Sequence, residues 1–213
     1  PAIVSRFREH HPQVKLQITV GTPEELIRMM EHDQLDIIYI LDAPRWSESW
    51  VKAMETAEPV VFVASPAFWA QKYAECEKNG TVKWSTKTVG QEEISVRQIT
   101  LDQILQEPFF LTEKHANYRQ ALDQHLASCR CCLSPVLEIS DTAFIIQMLE
   151  QSRGLSFLPL FAVQKQIWEG TLAAVEVDDV EISMYRQIFY HKNKFRTREM
   201  EQFIIFASEE ENH

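Results

Sequence analysis

The chain has 213 residues, enough for one or two domains, and its 45% hydrophobic and 24% charged residues suit a globular protein that needs no metal or disulfide framework to fold. Its formal net charge of −10 disfavours direct binding to nucleic acids or anionic membranes, because such a surface repels phosphate groups. No apolar run approaches the ~20 residues of a membrane span, and the first residues do not resemble a signal peptide.

The cysteines are unevenly placed. Cys129, Cys131 and Cys132 stand together, and the fourth is Cys76. Crowded cysteines of this kind do not form a disulfide framework, so a reducing cytoplasm is expected. The cluster offers too few ligands for a metal site. Free thiols at a helix end are the simplest interpretation, and a redox sensor is the alternative.

The first part of the chain predicts a strand, a helix and a second strand. An initial helix ends at His11-Pro12, and the alternation of Val14–Val20 predicts a half-buried strand with one wet or partner-facing side. Thr22-Pro23-Glu24-Glu25 forms a capping box at the start of the next helix. Leu35–Leu41 is apolar on both faces, which is typical of the middle of a parallel sheet. We therefore expect a right-handed βαβ unit.

The same alternation continues to the end of the chain. Further strands are predicted at Pro59–Ala64, Phe109–Thr112, Val136–Ile139, Leu155–Leu158, Val175–Val177 and Ile188–Tyr190, and helices after Ser65, Thr100, Asn117, Asp141, Pro159 and Thr197. Residues 71–98 read as an inserted hairpin or excursion, with Asn79-Gly80 as a turn. Gly154 and Gly170 are expected to end helices, Gly154 as a left-handed cap. This pattern predicts an α/β fold with parallel sheets, arranged as two lobes joined by crossing strands.

Familiar catalytic motifs are absent from the sequence. It contains no Gly-x-Ser-x-Gly, no P-loop, no Gly-x-Gly-x-x-Gly and no His-Glu-x-x-His, and its seven histidines lack metal-ligand spacing. Asp141 is better explained as a helix cap than as a catalytic acid. We therefore expect no enzyme activity, no metal and no cofactor.

Four predicted helix N-termini follow strands. They lie at Thr22, Ser65-Pro66, Asn117-Tyr118 and Ser140-Asp141-Thr142. Ligands of open α/β sheets bind beyond the carboxyl ends of the strands, where backbone N–H groups and helix dipoles favour anions. Each terminus alone can be a simple cap. The convergence of four predicts a cleft between two lobes that holds a small, anionic molecule.

Several short motifs follow one another along the chain, each at one place. They are Phe7-x3-His11-Pro12-x-Val14-x-Leu16, Leu35-Asp36-Ile37-Ile38, Val61-x-Val63-Ala64-Ser65, Tyr118-Arg119-x2-Leu122-Asp123, Gly154-Leu155-x2-Leu158-Pro159, Ile188-x-Tyr190-His191-Lys192 and Met200-x2-Phe203-Ile204. Each motif is weak alone. Together they resemble the effector-binding domain of LysR-type transcriptional regulators over nearly the whole chain except 71–98.

The resemblance implies a type 2 periplasmic-binding-protein fold, which is α/β and two-lobed, with two mixed, mostly parallel sheets and an interlobe cleft. Lobe I would hold residues 1–62 and 181–213, and lobe II residues 63–180 with an insertion at about 71–98. Homodimers would form through Val14–Val20 and Pro23–His32, and tetramers in the full-length protein. DNA would be bound only by an N-terminal helix-turn-helix domain that is absent from this chain. The protein would be cytoplasmic.

The family's ligand positions carry over to named residues. Gly21 and Thr22 match a first-lobe loop with N–H and hydroxyl donors, and Ala64 and Ser65 match the crossing point. The second-lobe positions are Glu113, Lys114, His115, Asn117, Tyr118, Asp141, Thr142 and Phe157. The peroxide-sensing members carry a reactive cysteine in the loop matched by 115–117, where this chain has none, so peroxide sensing is not expected.

The mechanism implied is differential binding: a ligand favours one angle between lobes or one dimer arrangement and so changes the spacing of distant DNA-binding heads. One alternative is an extracytoplasmic solute-binding protein of the same fold, which an upstream signal peptide in place of a helix-turn-helix would reveal. Another is an enzyme on this fold, which turnover of a bound metabolite would reveal.

Overall fold

The computed structural model describes residues 2–70, 83–89, 92–151, 154–178 and 180–210, with side chains except at 83–98 and 210. The helices are α1 (Ala2–His10), α2 (Pro23–Glu31), α3 (66–70), α4 (Leu101–Ile104), α5 (Asn117–Ser128), α6 (Thr142–Gln151), α7 (Leu160–Trp168) and α8 (Arg198–Glu210). The strands are β1 (Ile38–Asp42), β2 (Trp50–Ala64), β3 (Lys83–Val89), β4 (Glu92–Ile99), β5 (Phe110–Leu111), β6 (Leu137–Glu138), β7 (Leu155–Pro159), β8 (Ala173–Val177) and β9 (Ser183–His191).

The chain forms two compact units. Unit 1 comprises Pro1–Ala57 and Met184–His213, and unit 2 comprises Glu58–Ser183. Both boundaries fall inside strands, the first within β2 and the second within β9. The chain therefore leaves unit 1 along β2 and returns to it along β9.

Unit 1 is built on β1, which runs antiparallel to β9 with Ile38 opposite Phe189. Helix α2 covers this pair because its buried residues Leu26 and Met30 belong to one apolar cluster with Ile38, Ile40 and Phe189. Apolar side chains spaced by about one helical turn place both α2 residues on the same face.

The two terminal helices of unit 1 meet through aromatic rings. The fully buried ring of Phe7 on α1 lies edge-on to Phe203 and Phe206 of α8, with centroid distances of 5.5 and 6.4 Å. This edge-to-face arrangement is the one that aromatic pairs favour. The first and last helices of the chain thus pack together.

Unit 2 has its own sheet and core. β2 pairs antiparallel with β7 and with β8, β4 runs parallel to β8 and antiparallel to β3, and β5 runs parallel to β6. The core cluster consists of apolar residues from β2, β5, β7, β8, α6 and α7 and from the loop before β8. Its members are Val61, Val63, Phe110, Ile145, Ile146, Leu149, Leu158, Leu160, Val163, Leu172 and Ala174.

The sheets are mixed, and antiparallel ladders outnumber parallel ones among the described strands, where mostly parallel sheets are expected. The reason lies in the order of the strands. β9, from near the end of the chain, lies between β1 and β2. Alternation of strands and helices along the sequence does not reveal such a long-range insertion.

The prediction of a strand at Val14–Val20 is wrong. These residues are not extended into a strand, and they pair with no strand in the described part of the chain. Ile18 and Val20 are 66% and 93% exposed. A strand needs a neighbour for its backbone groups, and alternation of side chains cannot supply one. The predicted βαβ unit is therefore absent from the described part, and the strand predicted as parallel at Leu35–Leu41 is the antiparallel β1, with Tyr39 exposed.

Gly154 also differs from the prediction. Only Gly170, among the described glycines, has a positive φ, of 72°. A Cβ placed on Gly154 would lie 2.6 Å from Cε2 of Phe110. Close packing, and not a left-handed cap, is therefore the reason for glycine at this position.

The predicted hairpin within 71–98 is confirmed as β3 and β4, which pair from Lys83 opposite Gln98 to Val89 opposite Glu92. Its predicted turn at Asn79-Gly80 lies outside the described residues. β4 also joins β8, so the hairpin extends the sheet of unit 2. In the described part of the chain, no helix combines the length and apolarity needed to cross a bilayer.

Candidate ligand-binding site

Two strand ends define a polar edge in unit 2. β5 and β6 run parallel, with Leu111 opposite Glu138, and the Ile139 N–H donates to the Leu111 carbonyl at 3.1 Å. Parallel strands end at the same edge of a sheet. The residues that follow these strands, Thr112-Glu113 and Ser140-Asp141, therefore lie at one edge, where α5 and α6 begin.

The N-terminus of α5 receives no cap from the side chain of its N-cap residue. Its N-cap residue is Ala116, which supplies no side-chain acceptor, and the first turn contains no acidic residue. The positive end of the helix dipole and the first-turn N–H groups therefore receive no negative charge from the helix itself. Lys114 and His115, both exposed, directly precede this turn. This end of α5 is suited to an external anion.

The N-terminus of α6 lies beside it and is capped. The Asp141 Oδ1 accepts from the Phe144 N–H at 3.0 Å, as the sequence predicts for a helix cap. The first turn of α6 also contains no acidic residue. The Asp141 carboxylate is thus committed to capping.

Tyr118 joins the two helix ends. Its phenol lies near the side chains of Thr112 and Thr142. Burial raises the pKa of Tyr118 above its ordinary value, the charge of Glu113 acts in the same direction, and the neighbouring threonine hydroxyls act against them. The protonated phenol therefore persists at neutral pH as a polar group between the end of β5 and the start of α6.

Glu113 supplies an acceptor at the same edge. Its Oε2 is buried and has no hydrogen-bond partner among the described residues. A buried carboxylate oxygen without a donor is costly. A ligand hydroxyl that donates to it would remove that cost.

The buried Arg119 of α5 connects this helix to the ends of β5 and β6. It is 2% exposed, and it donates from Nη1 to the Thr112 carbonyl at 3.0 Å. Its Nε contacts both carboxylate oxygens of Asp123 at 3.0 Å, and Glu138 lies 3.7 Å from Nη1. The guanidinium therefore fixes α5 to the ends of β5 and β6.

The predicted residues of unit 1 have a different environment. The Thr22 Oγ1 accepts from the Glu25 N–H at 3.3 Å, and the Thr22 N–H donates to the Glu25 Oε2 at 2.9 Å. These bonds lower the pKa of the Glu25 carboxyl. The Thr22 N–H, as donor, and the Thr22 hydroxyl oxygen, as acceptor, are thus both used within the predicted capping box, which is confirmed.

Further charges surround the start of α2. Arg45 bridges Glu24, at 2.6 Å, and the buried Asp42. The Glu24 pKa is lowered by its own backbone N–H and by Arg45, against the effect of burial. Arg45 thus pairs with two carboxylates, and Glu25 adds a third acidic group at the start of α2. This terminus is therefore less favourable for an anion than that of α5.

The remaining predicted residues belong to the interior of unit 2. Ala64 is fully buried, and Phe157 is 2% exposed with its ring 4.7 Å from that of Phe62. Ser65 is 7% exposed, and its Oγ accepts from the Phe68 N–H at 3.3 Å. These three residues have structural contacts in place of open binding surface.

The structure thus brings Glu113, Asn117, Tyr118, Asp141 and Thr142 to one edge of unit 2, with Lys114 and His115 beside them. The residues missed by sequence reasoning are Thr112 and Arg119. The signal for Arg119 was a charge within an otherwise amphipathic helix, but its burial depends on strands elsewhere in the chain. In the part of the chain described with side chains, no group of histidine, cysteine and acidic residues is placed to hold a metal ion.

The sequence matches one family model along most of its length. The model is described as the LysR substrate binding domain, and it matches residues 1–77 and 92–211. The HTH-type transcriptional activator CmpR of Synechocystis is 21% identical over 212 residues, which are 99% of this chain and 62% of that protein. The regulator CbbR of Rhizobium meliloti is 24% identical over 209 residues, 97% of this chain and 59% of that protein. The chain spans about three fifths of these relatives.

Solved structures show the same fold. The regulatory domain of CcmR from Synechocystis in complex with 2-PG aligns with a TM-score of 0.70 and 14% identity, covering 100% of this chain and 91% of that chain. The effector-binding domain of QuiR in complex with shikimate gives a TM-score of 0.63 and 12% identity, covering 97% and 87%. At these identities the likeness establishes the fold, and the predicted α/β class is confirmed.

Proposed function

Because the chain belongs to the family of LysR substrate binding domains, we propose that it senses a small anionic metabolite at the polar edge of unit 2 and transmits this binding to a DNA-binding domain. The observation that carries the proposal is the N-terminus of α5, where the N-cap residue Ala116 offers no side-chain acceptor and the exposed Lys114 and His115 lie beside the first turn. Membership in the family supports ligand sensing, and the polar groups of this edge support an anionic ligand.

The chemistry of the edge narrows the ligand class. An anionic group would accept from first-turn N–H groups of α5, while the Glu113 carboxylate and the Tyr118 phenol would meet hydroxyl groups of the same molecule. The ligand proposed is therefore a small carboxylate or phosphate that also carries hydroxyls. The two structural neighbours hold 2-PG and shikimate, which supports an anionic effector.

We include Gly21 and Thr22 in the proposal as secondary positions only. The Thr22 N–H and hydroxyl oxygen already bond with Glu25 at the start of α2, and acidic side chains lie nearby. Ala64, Ser65 and Phe157 would act by shaping the core behind the edge.

The proposed output is a change in oligomer arrangement, in a cytoplasmic regulator. The relatives are HTH-type regulators and are longer than this chain, so DNA contact is assigned to a domain outside it. A dimer through Val14–Val20 and Pro23–His32 is supported by exposed Ile18 and Val20 and by a groove of about 560 Å³ that residues 19–21 form with α2. Ligand binding would act by favouring one of two arrangements.

A thermal-shift screen of small carboxylates and phosphates, including shikimate and 2-PG, tests the binding. A ligand at 100 times its Kd should stabilise the domain by about 2.7 kcal/mol, or roughly 5–10 °C in Tm. For the best ligand, Lys114→Gln and Tyr118→Phe should each weaken affinity several-fold.

Lys165→Gln is the matched control, because Lys165 is an exposed lysine of unit 2 on α7. It should leave the affinity unchanged. If a ligand binds and neither Lys114→Gln nor Tyr118→Phe alters its affinity, the assignment to this edge is wrong. If Thr22→Val alone abolishes binding, unit 1 holds the main contacts instead.

A further inference from the structure

We propose that the end of α5 carries a thiol–disulfide site, in which Cys129 reacts with a low-molecular-weight disulfide and Cys132 completes an internal disulfide bond. Cys129, Cys131 and Cys132 are all free thiols, with Cys129 and Cys132 exposed and Cys131 half-buried. Thiol exchange requires access to the sulfur. The site is independent of the ligand-binding edge, which lies at the other end of α5.

Cys129 has the surroundings of an attacking thiol. Its Sγ lies 3.9 Å from Nε2 of His125, one helical turn earlier, and 3.8 Å from the Ser128 Oγ. The thiolate is the reactive form of cysteine, and a neighbouring imidazole can accept the thiol proton.

The second thiol is Cys132 and not Cys131. The Cys131 Sγ donates to the Cys129 carbonyl at 3.5 Å, and the Cys131 N–H donates to the Leu126 carbonyl at 2.8 Å. Cys131 is thus tied to the end of the helix. Cys132 is exposed, and its distance from Cys129 in sequence is the Cys-x-x-Cys spacing that closes readily into a disulfide.

The backbone between the two cysteines is already turned. Arg130 has a φ of 59°, the left-handed conformation that non-glycine residues rarely adopt. Its N–H donates to the Ala127 carbonyl at 3.0 Å, which completes a Schellman cap together with the bond from Cys131. The chain therefore changes direction within the Cys129–Cys132 segment.

The reaction balances with a symmetrical disulfide RSSR as oxidant. The Cys129 thiolate attacks one sulfur of RSSR, breaks its S–S bond and releases RS⁻, which leaves a mixed disulfide on Cys129. The Cys132 thiolate then attacks the Cys129 sulfur and expels the second RS⁻. The two thiol protons leave with the RS⁻ groups as two RSH. The two cysteines are oxidised and RSSR is reduced.

The test uses the purified domain with Cys76→Ser and glutathione disulfide as the probe. After incubation and trapping with N-ethylmaleimide, peptide mass spectrometry should find Cys129 linked to Cys132 and Cys131 alkylated, and dithiothreitol should reverse the linkage. Cys132→Ser should accumulate a glutathione mixed disulfide on Cys129. Cys131→Ser is the matched control and should form the internal disulfide as before.

His125→Gln separates a positioned imidazole from simple exposure. It should slow alkylation of Cys129 by at least about tenfold relative to Cys132 in the same sample. Alkylation of all three cysteines after glutathione disulfide, linkage through Cys131, or Cys132→Ser without a mixed disulfide on Cys129 would each overturn the proposal. Circular dichroism of each variant confirms that the domain remains folded.

Discussion

Gly154 lies against the ring of Phe110 and has no room for a side chain. The distances from a Cβ at this position would be 2.6 Å to Cε2 and 2.9 Å to Cζ of the ring. Phe110 belongs to the core cluster of unit 2 and is 7% exposed. Its ring therefore cannot move into solvent without opening that core.

We expect Gly154→Ala to lower the free energy of unfolding by roughly 1–3 kcal/mol, because the added methyl group overpacks the core. Chemical denaturation measures this change. In a Phe110→Leu background the penalty should shrink. Gly170→Ala is the control, since its Cβ meets nothing within 4 Å and its cost of about 1 kcal/mol comes from φ alone. An equal Gly154→Ala penalty in both backgrounds contradicts the steric explanation.

Tyr118 predicts a pH dependence on the alkaline side. Burial raises its pKa above the ordinary 10.0 in the folded protein. As the pH rises, the unfolded chain loses the phenol proton before the folded protein does. The contribution of the protonated phenol to the free energy of unfolding is therefore complete below the ordinary pKa of 10.0, and it declines as the pH rises toward the higher pKa of the folded protein. Urea denaturation from about pH 8 to about pH 11 should show a steeper loss of stability in the native protein than in Tyr118→Phe. Parallel pH profiles would contradict the raised pKa.

At the scale of elements, Arg119 joins α5 to two strand ends. Arg119→Met removes the donor to the Thr112 carbonyl and the partner of Asp123 and Glu138. Because these carboxylates are each 38% exposed and can recover water, we expect a loss of about 1.5–3 kcal/mol and not the larger cost of a fully buried pair.

Urea denaturation of Arg119→Met measures that loss. Arg196→Met is the matched control, because Arg196 pairs with Glu201 at 3.0 Å with both side chains about half exposed. Surface pairs of this kind contribute about 0–1 kcal/mol. If the two variants lose equal stability, Arg119 does not hold α5 in place.

Helix positions could be predicted because their signals are local. The capping box of α2, the Asp141 cap of α6 and the end of α7 at Gly170 each depend on residues within one or two turns. Two other helices, α2 and α5, end in the same Schellman arrangement with Asp33 and Arg130 in the left-handed position. Neither residue is glycine, so the glycine signal that marks the end of α7 is missing at these two ends.

Strand pairing could not be predicted in the same way, because it depends on partners far along the chain. The apolar alternation of Val14–Val20 has no partner strand among the described residues, and β9 lies between β1 and β2 from more than 100 residues away. The candidate site likewise combines local features that the sequence reveals with long-range contacts that it does not. Its capping residues were visible in sequence, while the clamp between Arg119 and the Thr112 carbonyl joins elements that only the fold brings together.

At the scale of the whole molecule, the proposed dimer can be tested without a ligand. Val20 is 93% exposed and lines the groove with α2. An apolar side chain this exposed on the proposed face should be covered by a second copy, with a hydrophobic gain of roughly 1.5–3 kcal/mol if it becomes fully buried. We therefore expect sedimentation equilibrium to give twice the chain mass of 24.8 kDa.

Val20→Lys should shift that equilibrium toward the monomer and raise the dimer Kd at least about tenfold, because a buried lysine without a partner is costly. Phe195→Lys is the matched control: Phe195 is 83% exposed in the same unit but outside both proposed dimer segments, so its replacement should leave the dimer Kd unchanged. A native chain that remains monomeric at all concentrations, or equal weakening by both variants, would contradict a dimer through Val14–Val20. If Val20→Lys weakens the dimer and Phe195→Lys does not, self-association is assigned to the face formed by Val14–Val20 and Pro23–His32.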